Sequence, residues 1–251
     1  MPKVVLSGYF GFGNAGDEAI LAAEMAALRQ LVPNIEIVVL SGNPRETAAT
    51  YRVEAVPRGN LTAVGRALSN ADLLISGGGS LLQDITSNRS IPYYLGVVAL
   101  AKLLGKKVML YGNGVGPIRH PFNRLLVRWL GNWVDLITVR DGGSKDTLQR
   151  LGVSHPPVVL TADAVFTLRP AEREVAEEVL ERGGVGPDQP RLGVSVRHWR
   201  GLQEYKEILS YAIDTFAQSH NFQVVFLPLQ HPGDVSASEE EIGRASCRER
   251  V

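Results

Sequence analysis

The chain has 251 residues, 45% apolar and 21% charged, and its 26 basic and 26 acidic side chains cancel to zero. That balance gives no long-range attraction for nucleic acid, and a single cysteine, Cys247, excludes an internal disulfide framework or a cysteine-based metal cluster. The longest apolar run, Tyr93 to Leu104, is broken by Gly96 and Lys102 and is too short to span a bilayer.

In chain order, strand and helix signals alternate. Met1-Pro-Lys leads, with no signal-peptide pattern, into a β-branched run at Val4–Ser7; a loop with glycines at 8, 11, 13 and 16 follows, then a helical pattern over Asp17–Leu31. The periodicity next predicts a strand at Glu36–Leu40, a short helix after Pro44, a strand at Glu54–Val56 and a helix near Leu61–Ser69. Leu73–Ser76 leads through a second glycine loop to a helix near Pro92–Leu104. Lys107–Tyr111 precedes a helix over Phe122–Trp133, and Leu136–Val139 precedes one over Gly143–Leu151. Such alternation predicts a parallel sheet covered by helices on both faces, a doubly wound Rossmann-like domain over residues 1–168. A polar helix at Ala171–Arg182 and the cluster Gly183-Gly-Val-Gly-Pro-Asp-Gln-Pro190 read as helix and linker over 169–190. Leu192–Val196, a helix near Glu204–Ser219 and Gln223–Leu227 then start a second Rossmann-like domain over 191–240, which is expected to be incomplete. Residues 241–251 resemble a sequencing-adapter peptide translated in frame and are expected to be non-native.

Open parallel sheets bind ligands beyond the carboxyl ends of their strands, and the loops Gly8–Gly16, Gly77–Ser80, Asn113–Pro117 and Arg140–Asp141 all fall at that edge. Gly11, Gly13 and Gly16 spell G-x-G-x-x-G, and strand, glycine loop and helix together suit an anion. As a dinucleotide fingerprint the match is weak. Asp17 puts a carboxylate where a pyrophosphate would sit, and the second strand ends in Ser41-Gly42-Asn43, without an acid for a ribose. Asp17 is either helix-start chemistry or a rim carboxylate that holds a hydroxyl or moves a proton. Gly77, Gly78 and Gly79 with Ser80 form either an anion nest or a turn that lets strand and helix pack. Asp84 lies within reach of the same rim or is an ordinary surface charge. Asn113 orders a hydroxyl or satisfies its loop. Arg140 meets a ligand or pairs with Asp141. Arg197, ending an apolar strand, is a cation that calls for an anion. Trp129 and Trp133, four apart, read as core packing. The five histidines, 120, 155, 198, 220 and 231, have no metal spacing, so no metal site is expected.

Seven blocks, in order, carry a resemblance: Gly8-Tyr-Phe-Gly-Phe-Gly-Asn-Ala-Gly-Asp-Glu-Ala19, Ser76-Gly-Gly-Gly-Ser-Leu-Leu-Gln-Asp-Ile-Thr-Ser87, Tyr111-Gly-Asn-Gly-Val-Gly-Pro117, Val139-Arg-Asp141, Thr161-Ala-Asp-Ala-Val-Phe166, Gly193-Val-Ser-Val-Arg197 and Phe226-Leu-Pro-Leu-Gln230. Together they resemble the polysaccharide pyruvyl transferases, the CsaB-like cell-wall enzymes in particular. The resemblance implies a GT-B-like fold and a transferase that moves the pyruvyl group of phosphoenolpyruvate onto a sugar as a ketal, with no cofactor. Its implied partners are phosphoenolpyruvate and a lipid-linked cell-wall sugar acceptor used in S-layer anchoring, not nucleic acid. Its implied location is cytoplasmic, at or near the inner membrane face, with any membrane contact made through the substrate. On that reading Asp17 is catalytic, and Gly13, Asn14, Gly16, Gly78, Gly79, Ser80, Asp84, Asn113, Arg140 and Arg197 bind substrate. The family's proposed His and Lys catalytic residues would lie beyond this segment, leaving the chain alone nearly inactive. The alternatives are a GT-B glycosyltransferase using a nucleotide sugar and a non-catalytic sugar- or anion-binding relic.

Overall fold

The computed structural model describes residues 1–198 and 204–244. They form two compact units, divided between Leu168 and Arg169. The first contains β1 (Lys3–Ser7), α1 (Ala15–Leu31), β2 (Glu36–Ser41), α2 (Pro44–Tyr51), β3 (Glu54–Pro57), α3 (Leu61–Ser69), β4 (Leu73–Gly77), α4 (Ser90–Leu103), β5 (Lys107–Asn113), α5 (Pro121–Gly131), β6 (Leu136–Val139), α6 (Gly142–Arg150), β7 (Val158–Leu160) and a 3-10 turn at Ala164–Thr167. The second contains α7 (Arg173–Arg182), β8 (Arg191–Val194), α8 (Glu204–His220), β9 (Gln223–Phe226) and α9 (Gly233–Arg244).

All pairings in the seven-stranded sheet are parallel, in the order β3-β2-β1-β4-β5-β6-β7. The strands read as near-continuous apolar runs because both faces are covered. Alternate residues of one strand serve opposite faces. Val5 joins a core with Leu74, Val108 and Ile137 under α3, α4 and α5, while Val4 and Leu6 join Ile75, Leu21 and Met25 under α1. Each fully buried Leu or Val adds about 1.5–3 kcal/mol. The strand order reverses between β1 and β4, which opens a crevice at their carboxyl ends.

In the second unit β8 and β9 form a parallel pair, Arg191 opposite Gln223 through Val194 opposite Phe226. Val194, Val196, Ile213, Val224 and Phe226 make its core. The Gly183–Pro190 stretch belongs to this unit: Val185 is buried, and Arg191 donates to Glu177 Oε2 at 2.6 Å and to the Gly186 carbonyl at 3.0 Å. Of the segment set apart as non-native, residues 241–244 continue α9, with Glu241 accepting from Ser210 Oγ at 2.5 Å; residues 245–251 lie outside the described part.

The expected core packing of Trp129 and Trp133 is corrected, since they are 73% and 43% exposed. The inner side of α5 is taken by Asn123, Val127 and Gly131, with Leu126 and Leu130 against the core, and the tryptophans fall on a different side.

Candidate functional site

The crevice between β1 and β4 is built by α1 lying against the second glycine loop. Glu24, Ile20 and Asp17, spaced at helical intervals on one side of α1, face Gly77, Gly78 and Gly79 in turn. A Cβ on Gly77 would come within 3.1 Å of Glu24 Oε1, one on Gly78 would collide with Ile20, and one on Gly79 would lie 2.9 Å from Asp17 Oδ1. Gly78 also has φ +78°, which side chains disfavour. The glycine run therefore lets helix and strand end approach closely, and that approach places the Asp17 carboxylate at the rim.

The first glycine loop spends its amides on the protein. Asn14, the N-cap of α1, accepts from Gly16 N at 3.0 Å and Asp17 N at 3.2 Å, and Glu18 Oε1 accepts from Gly11 N at 2.7 Å. Tyr51 OH holds the other Glu18 oxygen at 2.8 Å. A carboxylate thus occupies the amide that a pyrophosphate would need, and Gly13 stands on the exposed outer turn of the loop.

Around β4, β5 and β6 the rim is cationic. Arg140 follows β6 and donates to Asp163 Oδ2 at 2.7 Å and to Ser80 Oγ at 2.9 Å. Its guanidinium lies close against Gly114, where a Cβ would be 3.0 Å from both Nε and Nη2. The alternative of a pair with Asp141 is not what forms; Asp141 caps α6 by accepting from Ser144 N at 2.7 Å and Ser144 Oγ at 2.9 Å. Ser80, Gly114, Arg119, Arg124, Arg140 and Arg150 help to line an open cleft of about 780 Å³. With four arginines against one acid, Asp141, among its lining residues, the cleft carries a net positive charge that favours a phosphorylated or carboxylated ligand.

Asp84 and Asn113 shape this rim from beneath. The Asp84 carboxylate is buried and accepts from Arg119 N at 2.7 Å, His120 N at 2.8 Å and Asn123 Nδ2 at 3.1 Å. Burial pushes its pKa up, but these donors outweigh burial and hold it below the usual carboxylate value. Asn113 is also buried and donates to the Ser76 carbonyl at 3.0 Å, tying β5 to β4. Arg197 lies in the second unit beyond β8, where it donates to Gln230 and pairs with Asp234 at 3.9 Å.

Three residues at the crevice escaped the sequence reading. Glu24 is 3% exposed, both its oxygens lack a hydrogen-bond partner among the described residues, and burial followed by repulsion from Asp163 raises its pKa to about 8. An acid on the apolar side of Ile20, Leu21 and Ala23 was the available signal. Asp163 lies in the Thr161–Phe166 block, where it caps the 3-10 turn through Val165 N at 3.1 Å besides holding Arg140. Arg58, just after β3, lies over the Tyr93 ring at 4.0 Å and donates to Tyr94 OH at 3.3 Å and to the Gly8 carbonyl at 3.4 Å. Nothing local in the sequence marks it.

A doubly wound sheet of this order is a Rossmann-like α/β domain, and the solved structures similar to the chain are of the GT-B type. Solved structures share the fold. A UDP-GlcNAc 2-epimerase from Neisseria meningitidis matches 99% of this chain and 71% of its own at 12% identity and TM-score 0.60. One from Methanocaldococcus jannaschii matches 95% and 68% at 11% identity and TM-score 0.61. Anabaena Alr3699/HepE, solved with UDP-glucose, matches 100% and 68% at 12% identity and TM-score 0.59. The chain spans about two thirds of the length of the solved structures it matches. Curated proteins give no significant match. Within this fold class the chain belongs to the polysaccharide pyruvyl transferase family, whose model matches residues 14–250.

Proposed function

We propose that the protein transfers the pyruvyl group of phosphoenolpyruvate onto a sugar of a cell-wall polysaccharide precursor. The observation that carries this reading is Arg140. A family member places a guanidinium, backed by Asp163 and Ser80, against a glycine backbone on a cationic cleft.

The chemistry is demanding in charge. A proton adds to the methylene carbon of the enol phosphate, and one sugar hydroxyl bonds to the adjacent carbon. A second hydroxyl then displaces phosphate from that carbon. The two hydroxyl protons are balanced by the new methyl hydrogen and the proton on the leaving phosphate. Arg140 holds the donor's carboxylate or phosphate, and Ser80 orients it. Asp17, fixed at the first turn of α1, accepts a hydroxyl proton. Gly13, exposed on the first loop, leaves the substrate room beside the backbone, whereas Gly78 and Gly79 act indirectly, by letting α1 bring Asp17 to the rim. No cofactor or metal enters this scheme. The reaction is assigned to the cytoplasmic side, where phosphoenolpyruvate is made, and its product would serve cell-wall anchoring.

Titration calorimetry with phosphoenolpyruvate is the test. The chain is expected to bind it, and Arg140→Ala to weaken binding at least about tenfold, as for loss of a charge-assisted bidentate contact. A response to UDP-sugars with none to phosphoenolpyruvate would overturn the proposal in favour of glycosyl transfer.

A further inference from the structure

The outer side of α5 carries Phe122, Leu125 and Trp129 at i, i+3 and i+7, and these side chains are 53, 52 and 73% exposed. Trp133, in the turn beyond the helix, continues the stripe at 43%. Such a row normally faces a core. Here the inner side of the helix is already filled by Val127, Leu126 and Leu130, so the stripe is a second apolar face.

Cations border it. Arg124 and Arg128 stand on α5, Arg119 stands just before it, and the helix contains no acid. None of the three takes part in an ion pair among the described residues. Arg124 spends only Nε internally, on the Ile118 carbonyl at 2.8 Å. In a chain of zero net charge this is a marked local excess.

We propose that this face docks directly on an anionic lipid surface, with the aromatic and leucine side chains entering the interfacial layer and the arginines meeting lipid phosphates. Charge complementarity selects this occupant. A second copy packed across a two-fold axis would set the same arginines against one another, with no acid on α5 to answer them. A lipid surface supplies both the negative charge and the apolar layer, and tryptophan favours that boundary. Arg119 and Arg124 also line the cleft, but Phe122, Leu125, Arg128 and Trp129 do not, and the inference concerns attachment of the protein, not a bound substrate.

Co-sedimentation of the full chain with phosphatidylglycerol-containing vesicles, and with pure phosphatidylcholine vesicles, tests it. Binding is expected only to the anionic vesicles, weakened by salt and accompanied by a blue shift of tryptophan emission. The double variant Arg124→Glu/Arg128→Glu should lose at least about tenfold in partitioning, and Leu125→Ser/Trp129→Ser should partition less and show a smaller blue shift, carried by Trp133 alone on this stripe. Thermal melts monitor folding, and Arg124→Gln/Arg128→Gln replaces the charge reversal if that unfolds the chain. Absence of vesicle binding, equal binding to neutral vesicles, or retained binding by both folded variants overturns the proposal. So does self-association in sedimentation velocity that Leu125→Ser/Trp129→Ser abolishes while vesicles have no effect.

Discussion

Glu24 carries the sharpest electrostatic cost in the first unit. Its carboxyl sits beneath Gly77 and Gly78 with no hydrogen-bond donor among the described residues to stabilise a charge, and burial, then Asp163, raise its pKa to about 8. In the unfolded chain the same group ionises near 4.5. Between these values the native state holds a proton that the unfolded state releases, so the Glu24 contribution to stability falls as pH rises through this window. Glu24→Gln keeps the shape without the ionisation. Relative to the parent, the variant is expected to gain roughly 2–4 kcal/mol between pH 5 and pH 8 in urea denaturation. A difference that stays constant across that range would refute the buried, neutral carboxyl.

At the scale of elements, the β5–α5 connection depends on one carboxylate. Asp84, in the loop after β4, gathers the amides of Arg119 and His120 and the side chain of Asn123, and so fixes the entry to α5 and one wall of the cleft. Its depressed pKa means the stabilisation is present above the unfolded value and fades on acidification. Asp84→Ala should cost about 1–3 kcal/mol in denaturant unfolding at neutral pH. It should also speed amide exchange at Arg119 and His120. Unchanged exchange there would show that the loop is held by something else. The sequence displayed Asp84 inside a glycine-loop block but not its direction, because inward and outward turns of a loop carboxylate look alike until the donors are placed. The strands over Val4–Ser7, Leu73–Ser76 and Leu136–Val139 were legible because apolar runs end abruptly at glycine or charge. Other elements were not. β7 is three residues long, and its Val159 and Leu160 are 44% and 51% exposed, so burial gave it no pattern. α9 is Ser/Glu-rich, and its last residues fall in the segment read as foreign. Arg140 was visible as a cation ending a strand. Pairing with its neighbour Asp141 was one of two open readings, and the partner found, Asp163, arrives from beyond β7 through tertiary structure and left no local signal.

For the whole molecule, the two units differ in how their sheets are protected. In the first, β1, β4 and β5 are central strands, paired on both sides and buried on both faces, so opening their amides requires breaking the whole sheet. In the second, β8 and β9 form a two-stranded pair, and α7 has no buried residue. Two strands with a few helices remove far less apolar surface from water than a seven-stranded doubly covered sheet, and local opening follows that difference. Native-state hydrogen exchange should therefore show the slowest amides at Val5, Leu74 and Val108. Val194 and Val225 should exchange at least about a hundredfold faster, as a gap of a few kcal/mol in opening free energy requires. Equal protection in both units would mean that the second unit is stabilised by more than its own core. Addition of phosphoenolpyruvate separates the possibilities further. A donor held by Arg140 and Ser80 protects the amides at the ends of β4 and β6, whereas unchanged exchange there would remove the donor from this rim.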